Sequence, residues 1–189
     1  RCVLACAVSM TAGPRPSELH KGVDVRLLGT EAAPLLVLTI YGSKVRDGCS
    51  GYTWRQVAVD APWAHPVTAC LLDAARANGG GLIVQESPDR LRRAMARGAR
   101  DLLGPKGAWV TPYVWRHAVA TRVRADAGLV AAAQVLGHTD VNSTRGYRGG
   151  HDGGPLVWCW ALSGPGPKNR PRSGPPVFDT ATPQPAPRV

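Results

Sequence analysis

Residues 110–149, VTPYVWRHAVATRVRADAGLVAAAQVLGHTDVNSTRGYRG, concentrate side chains that can act on a phosphodiester. Arg116 carries a group that stays charged and can bind two phosphate oxygens at once. His138 can transfer a proton near neutral pH, and Tyr147, nine residues later, carries a phenol that can attack phosphorus. Because a phenol is a moderate leaving group, a phosphotyrosine link preserves the bond energy for rejoining. These residue types suit the tasks that breaking a phosphodiester without a metal ion or ATP would require.

Two segments nearer the start of the chain supply further cationic groups. TAGPRPSEL places Arg15 shortly before Glu18, and LTIYGSKVRDG places Lys44 in a turn-rich basic connection. A second arginine can meet the negative charge that develops on phosphate oxygens, and a lysine can give a proton to a departing sugar oxygen. The chain therefore carries the three kinds of group that this chemistry needs: a nucleophile, groups that neutralise negative charge, and a proton donor.

Together these segments resemble the catalytic domain of the tyrosine recombinases, also called phage integrases. YVWRH followed by LGHTDVNSTRGY is similar to the family's His-x-x-Arg-His and Leu-Gly-His boxes, with the tyrosine nine residues after the last histidine. TAGPRPSEL resembles the Thr-Gly-x-Arg-x-Ser-Glu-Leu box, and LTIYGSKVRDG resembles the lysine-bearing β-hairpin. The resemblance covers roughly residues 5–149, and five roles in order make it more specific than any single motif.

The resemblance implies a role for each matched residue. Tyr147 is expected to attack the scissile phosphate and form a 3′-phosphotyrosine link. Arg15, Arg116 and His138 are expected to hold and neutralise the phosphate, and Lys44 to protonate the leaving 5′-oxygen. No cofactor and no metal ion is implied.

The sequence departs from the family pattern at two places. Tyr113 stands where the first box has histidine, so it can donate a hydrogen bond to phosphate but cannot shuttle protons near neutral pH. Pro14 and Pro16 flank Arg15 and stiffen its loop. His117 is expected to make a supporting hydrogen bond and to take no direct part in the chemistry.

Each candidate also has a purely structural interpretation. Arg15 alone would be a solvated loop arginine, Lys44 a turn lysine and Arg116 one half of a buried ion pair. His138 after a glycine could be a helix C-cap residue favoured by the helix dipole, and Tyr147 a half-buried surface tyrosine.

Two alternative functions stay open beside the recombinase interpretation. One is a DNA-binding relic that keeps the fold and the charge but has weak or no turnover. The other is a type IB topoisomerase-like enzyme, which shares the chemistry but relaxes supercoiled DNA without sequence preference.

Charge and cysteine content bound the partners and the compartment. The 189 residues carry a net charge of +10, and arginine far outnumbers lysine. Such a basic chain suits a polyanion, here double-stranded DNA, although a high-GC genome gives a similar composition. Five cysteines without a CxxC pair favour a reducing cytoplasm, and no apolar run reaches the length of a membrane span.

The elements that must position these residues follow from periodicity and from Pro and Gly. We expect a helix over residues 2–10, a second from near Ser17, and strands over 35–41 and 52–60. Further helices are expected over 65–80, 87–104, 111–128 and 129–137. The fold class is α+β, mainly α, with a small antiparallel sheet like that of the recombinase catalytic domain.

Domain organisation and packing complete the expectations. Residues 1–150 are expected to form the domain, and residues 151–189 a disordered Pro/Gly-rich tail. The resemblance implies a fragment that lacks the family's N-terminal DNA-clamping domain, and a tetramer on DNA as the active form. Two helix faces are predicted to be buried: Leu91, Ala94, Met95, Leu102 and Leu103 on the helix over 87–104, and Val114, Ala118 and Thr121 on the helix over 111–128.

Overall fold

The computed structural model describes residues 2–43, 52–138 and 141–145, and the backbone of 159–163. Within these ranges the fold combines five α-helices with one antiparallel sheet. The helices are α1 (Cys2–Ala12), α2 (Pro16–Lys21), α3 (Pro66–Ala77), α4 (Pro88–Leu103) and α5 (Tyr113–Leu136). The strands are β1 (Val23–Gly29), β2 (Pro34–Tyr41), β3 (Trp54–Asp60), β4 (Gly81–Val84) and β5 (Cys159–Ser163). Short 3₁₀ helices cover Pro62–Ala64, Gly104–Trp109 and Val141–Thr144.

The sheet has the order β4-β1-β2-β3-β5, and every neighbouring pair is antiparallel. Central strand β2 is an apolar run buried on both faces, with Val25 opposite Leu38 on one side and Val57 opposite Leu38 on the other. Helix α1 packs against α3, α4 and α5. Its Ala5, Val8 and Ala12 are fully buried, because small side chains let neighbouring helices approach closely.

Several expected elements are confirmed. The strands over 35–41 and 52–60 correspond to β2 and β3, and the helices over 65–80 and 87–104 to α3 and α4. Ser87 caps α4 by accepting a hydrogen bond from the N–H of Arg90. The expected break between two helices lies at Gly128, whose φ of 84° and ψ of 177° interrupt α5. The mixture of helices and antiparallel strands agrees with the α+β expectation.

Other expectations differ from the structure. Leu102 and Leu103 at the end of α4 are 85% and 61% exposed, so the buried face of α4 is shorter than predicted. Strands β1 and β4 are additional to the two predicted ones. Cys159–Ser163, which were expected to belong to a tail beyond residue 150, form β5 and pair with β3, so the sheet extends past the expected domain boundary. The remainder of that tail lies outside the described residues.

The buried face of α5 is also not the predicted one. Val114 and Ala118 are exposed, whereas Arg116, Val119 and Ala120 are buried. The helix is turned so that an arginine, which periodicity counts as a surface residue, points inward. This orientation builds the polar cluster described next.

Candidate active site

Four of the six candidate residues lie within the described part of the chain. They are Arg15, Tyr113, Arg116 and His138. Lys44 and Tyr147 lie outside the described residues. Three of the four, Arg15, Arg116 and His138, belong to one polar cluster between the α1–α2 loop and the end of α5.

Arg116 is the buried centre of this cluster, with 1% of the residue exposed. Its Nη1 donates to the carbonyl oxygen of Gly13 at 2.7 Å, and its Nη2 donates to the carbonyl oxygen of Leu136 at 2.7 Å. Nη2 also lies 3.1 Å from Nε2 of His138. One guanidinium therefore joins the loop after α1, the last turn of α5 and the histidine beyond it.

His138 follows a glycine that ends α5. Gly137 has φ 69° and ψ 37°, the left-handed conformation typical of the residue after a helix, and the N–H of His138 donates to the carbonyl oxygen of Ala133 at 2.8 Å. Nδ1 of His138 lies 2.9 Å from Oγ1 of the fully buried Thr144. The imidazole is thus held at both ring nitrogens.

Arg15 begins α2 and is bound to the residue three positions later. The Glu18 carboxylate accepts the Arg15 backbone N–H at 2.9 Å and Arg15 Nη1 at 2.6 Å. With Pro16 at the first helical position, this fixes the loop that carries Arg15. The Arg15 side chain is 15% exposed, so it reaches solvent while Arg116 does not.

Arg55 is a member of the cluster that the sequence motifs did not identify. It lies on β3, is 1% exposed, and donates from Nε to the carbonyl oxygen of Val135 at 2.6 Å and from Nη2 to Glu18 at 2.9 Å. A single arginine inside the strand-like run YTWRQVAVD was the only signal of its burial. Arg55 connects the sheet to α2 and to the end of α5.

The electrostatics of the cluster follow from three arginines around one carboxylate. Burial alone would raise the pKa of Glu18, but the charge and hydrogen bond of Arg55, with Arg116 and the Arg15 N–H, lower it to about 2. Burial and the charges of Arg116, Arg15 and Arg55 together lower the pKa of His138 to about 4, although the charge of Glu18 acts in the opposite direction. His138 is therefore neutral at pH 7. It can carry the positive charge expected of it only when a phosphate anion lies beside it and favours protonation of the ring.

Two glycines allow the close approaches within the cluster. A Cβ on Gly13, which has φ 57°, would lie 3.2 Å from Cα of Arg116 and 3.3 Å from Cβ of Val119. A Cβ on Gly137 would lie 2.9 Å from Nη1 of Arg55. The glycines of TAGPR and LGH are therefore required both by backbone conformation and by space.

Tyr113 and His117 are on the solvent side of α5. Tyr113 is the first residue of the helix and is 47% exposed, three positions before the buried Arg116. His117 is also exposed. Helix α5 begins at Tyr113 with Pro112 before it, and its N-terminus has no side-chain cap.

The described residues that precede the two undescribed candidates contact α2 in one case and the cluster in the other. Ser43 directly precedes Lys44, and Ser17 lies two residues after Arg15. The hydroxyl of Ser17 donates a hydrogen bond to the hydroxyl of Ser43 at 2.9 Å. Lys21 donates to the carbonyl oxygen of Gly42 at 2.5 Å. Thr144, which stands three residues before Tyr147, contacts His138.

Chemically, the cluster combines a net positive charge with a neutral imidazole. Among the described residues, Arg15, Arg55 and Arg116 contribute three positive charges against the one negative charge of Glu18. Arg15 and His138 are the members that reach solvent. Such an arrangement can bind an oxyanion and exchange a proton with it.

No protein-family model, no curated protein and no solved structure matches this chain. Among the described residues, no helix is both long enough and apolar enough to cross a lipid bilayer. Functional assignment of the cluster therefore depends on its own geometry and on the sequence motifs.

Proposed function

We propose that this chain is a tyrosine-type site-specific DNA recombinase that cleaves and rejoins DNA through a 3′-phosphotyrosine intermediate. The observation that carries the proposal is the Arg116 guanidinium, which donates to Gly13 in the loop before Arg15 and contacts His138. Residues 103 positions apart meet here. Arg15, Arg116 and His138 belong to three separate sequence motifs, so chance alone would not bring them to one cluster.

The proposed chemistry assigns one task to each residue. The Tyr147 hydroxyl gives its proton to the neutral imidazole of His138, and its oxygen forms a bond to phosphorus as the bond to the 5′-oxygen breaks. The protonated His138 then helps to neutralise the phosphate, and Lys44 gives a proton to the departing 5′-oxygen.

Arg15 binds the phosphate from the solvent side, and the buried Arg116 supplies positive charge from the interior of the protein. Tyr113 donates a hydrogen bond to the phosphate. No metal ion or nucleotide takes part.

The contacts of Ser43 and Thr144 support the roles of the two undescribed residues. Ser43, which directly precedes Lys44 in the sequence, is bonded to Ser17, two residues after Arg15. Thr144 is bonded to His138, and three residues of extended chain span at most about 10 Å. Tyr147 follows Thr144 by three residues, a sequence separation short enough for its phenol to act on a phosphate beside His138.

An arginine stripe on α4 supports DNA as the substrate. Arg90, Arg93, Arg97 and Arg100 recur at steps of three and four residues and are all exposed, so they share one face of the helix. Such a row can contact successive phosphates, which positions a duplex without reading its sequence. A tetramer on two DNA duplexes belongs to the same proposal on the strength of the resemblance, and a cytoplasmic location on the strength of the cysteine content.

A covalent trap tests the proposal. The full chain is incubated with nicked duplexes tiled across the DNA that flanks its own gene, and the products are separated on a denaturing gel. We expect a slow protein–DNA band that disappears in Tyr147→Phe. Absence of any covalent band, while the protein still binds the same DNA, would overturn the assignment of recombinase activity.

A DNA-binding relic is the second candidate, and the burial of Arg116 favours it. This arginine is 1% exposed and donates to two backbone carbonyls, which is also how a structural arginine is held. A relic would show salt-dependent DNA binding that Tyr147→Phe leaves unchanged, with no covalent product. The denaturing gels of the two proteins and a DNA-binding curve separate the candidates.

A further inference from the structure

We propose that Thr144 is a positioning residue for His138: its hydroxyl accepts the Nδ1 proton and thereby keeps Nε2 turned toward Arg116 and the bound phosphate. The catalytic meaning of this role rests on the proposed function. The ring orientation itself does not, and it can be measured without DNA.

The hydrogen-bond chemistry of the two neighbours fixes the tautomer. An arginine can only donate, so the 3.1 Å contact with Arg116 requires Nε2 of His138 to accept. In a neutral imidazole the proton is then on Nδ1, which lies 2.9 Å from Oγ1 of Thr144. The threonine hydroxyl must therefore accept this proton.

Thr144 is itself held in place. It is fully buried at the end of the 3₁₀ helix Val141–Thr144, and the N–H of the next residue, Arg145, donates to the carbonyl oxygen of Asn142 at 3.0 Å. On the other side, the backbone N–H of His138 is bonded to Ala133. Both ends of the contact are therefore fixed, and the imidazole has little freedom to turn.

The charged groups around His138 explain why a hydroxyl suits this position. Arg116 on α5, Arg15 at the start of α2 and Arg55 on β3 oppose a second proton on the ring, and only Glu18 on α2 favours it. A carboxylate partner would favour the imidazolium, whereas a hydroxyl accepts from the neutral and the charged ring alike. Thr144 can thus hold the ring while Nε2 gains a proton beside an anion.

Two variants of Thr144 separate its hydroxyl from its shape. Thr144→Val keeps the branched shape but removes the acceptor, and Thr144→Ser keeps the acceptor but removes the methyl group. If Thr144 only fills space, valine is the milder change. If Thr144 positions the ring, serine is the milder change.

Nitrogen-15 NMR of the histidine side chains in the full chain reads the tautomer directly, with His138→Asn identifying the signal. We expect the Nδ1–H form at pH 7 in the wild type and in Thr144→Ser, and loss of that form in Thr144→Val. An Nε2–H wild type, or an Nδ1–H form that persists in Thr144→Val, would overturn the proposal. If Thr144→Val does not fold, Thr144→Ala is measured in its place with the same criteria.

The covalent trap then tests whether the orientation matters for chemistry. We expect covalent product to form roughly 10- to 100-fold more slowly in Thr144→Val, with recovery in Thr144→Ser. A changed tautomer with an unchanged rate refutes the positioning role. An absent product in the wild type refutes the proposed function but leaves the NMR result on Thr144 in force.

Discussion

The guanidinium of Arg116 and the imidazole of His138 lie 3.1 Å apart, although both groups are basic. They can form a hydrogen bond only while the imidazole is neutral, because an imidazolium has no lone pair to accept with. Burial and the surrounding arginines lower the pKa of His138 to about 4, so the contact is stable at pH 7. Protonation of one side chain therefore decides whether the two hold together or repel.

This relationship predicts how stability depends on pH. The pKa of His138 is about 4 in the folded chain against an ordinary value of 6.5, so the unfolded chain binds more protons between these values. The contribution to stability is complete above pH 6.5 and is lost as the pH falls to about 4. We expect His138→Asn to flatten this part of the curve of unfolding free energy against pH, measured by urea denaturation.

His117→Asn is the matched control, because it removes an exposed histidine from α5, the helix that ends just before His138. We expect its pH curve to follow the wild type. A His138→Asn curve as steep as the wild type between pH 6.5 and 4 would show that another group causes the loss of stability.

Glu18 is expected to be the most sensitive acidic residue of the fold. Glu18→Gln leaves the buried Arg55 without its carboxylate partner, which typically costs about 3–5 kcal/mol of unfolding free energy. Because the pKa of Glu18 is lowered from 4.5 to about 2, its contribution is present above pH 4.5 and falls away as the pH drops toward 2. Urea denaturation at pH 7 measures the first effect.

Asp89→Asn provides the comparison, since Asp89 forms an exposed pair with Arg92. We expect it to change the unfolding free energy by less than about 0.5 kcal/mol. Equal destabilisation of the two variants would contradict the structural role assigned to Glu18.

Gly137 is expected to tolerate no side chain. Gly137→Ala combines a φ of 69° with a Cβ placed 2.9 Å from Nη1 of Arg55, so we expect it to destabilise the fold by about 1–3 kcal/mol. Gly98→Ala, in the middle of α4 with open space around it, should instead stabilise the fold by about 0.5–1 kcal/mol. Thermal or urea unfolding of the two alanine variants measures both, and a shift of the same sign in both would count against this account.

The arginine stripe of α4 is expected to set the salt dependence of DNA binding. Removing one arginine–phosphate interaction lowers the slope of log K against log salt by about 0.9. Arg93→Gln and Arg97→Gln should each reduce the slope by about that amount, whereas Arg26→Gln, an exposed arginine on β1, should not. Fluorescence anisotropy with duplex DNA at several salt concentrations measures the slopes, and three equal slopes would exclude the stripe as the DNA-binding surface.

The sequence predicted the polar cluster better than the packing around it. Spacing placed Arg116 in the helix over 111–128 and His138 just after the helix over 129–137, and the two residues meet in the structure. The break at Gly128 makes this possible, because in a straight helix Leu136 would lie about 30 Å from Arg116, whose guanidinium it contacts. The inward face of α5 was predicted wrongly, because periodicity treats an arginine as a surface residue. The burial of Arg116 depends on the carbonyl of Gly13, which no local pattern contains.

Arg55 illustrates the same limit on the sheet. Within YTWRQVAVD its spacing puts it on the same face as the buried Val57 and Val59, but its charge favours an exposed position. Its burial depends on Glu18, 37 residues earlier, and on Val135, 80 residues later.

Strands β1 and β4 were missed for other reasons. In β1 the apolar Val23 and Val25 alternate with the polar Asp24 and Arg26, which is a strand pattern, but it lacks the long apolar run that identified β2. Strand β4 has only four residues.

The separation in sequence between the partners of Arg116 has a consequence for the cell. While the ribosome still holds the chain from Val135 onward, Arg15 and Arg55 have already emerged, but the carbonyls of Val135 and Leu136 and the imidazole of His138, which complete the cluster, have not. Hydrogen bonds across 80 and 103 residues can close only late in synthesis. Under the proposed function, a half-made polypeptide therefore has no assembled centre with which to cut the chromosome beside it.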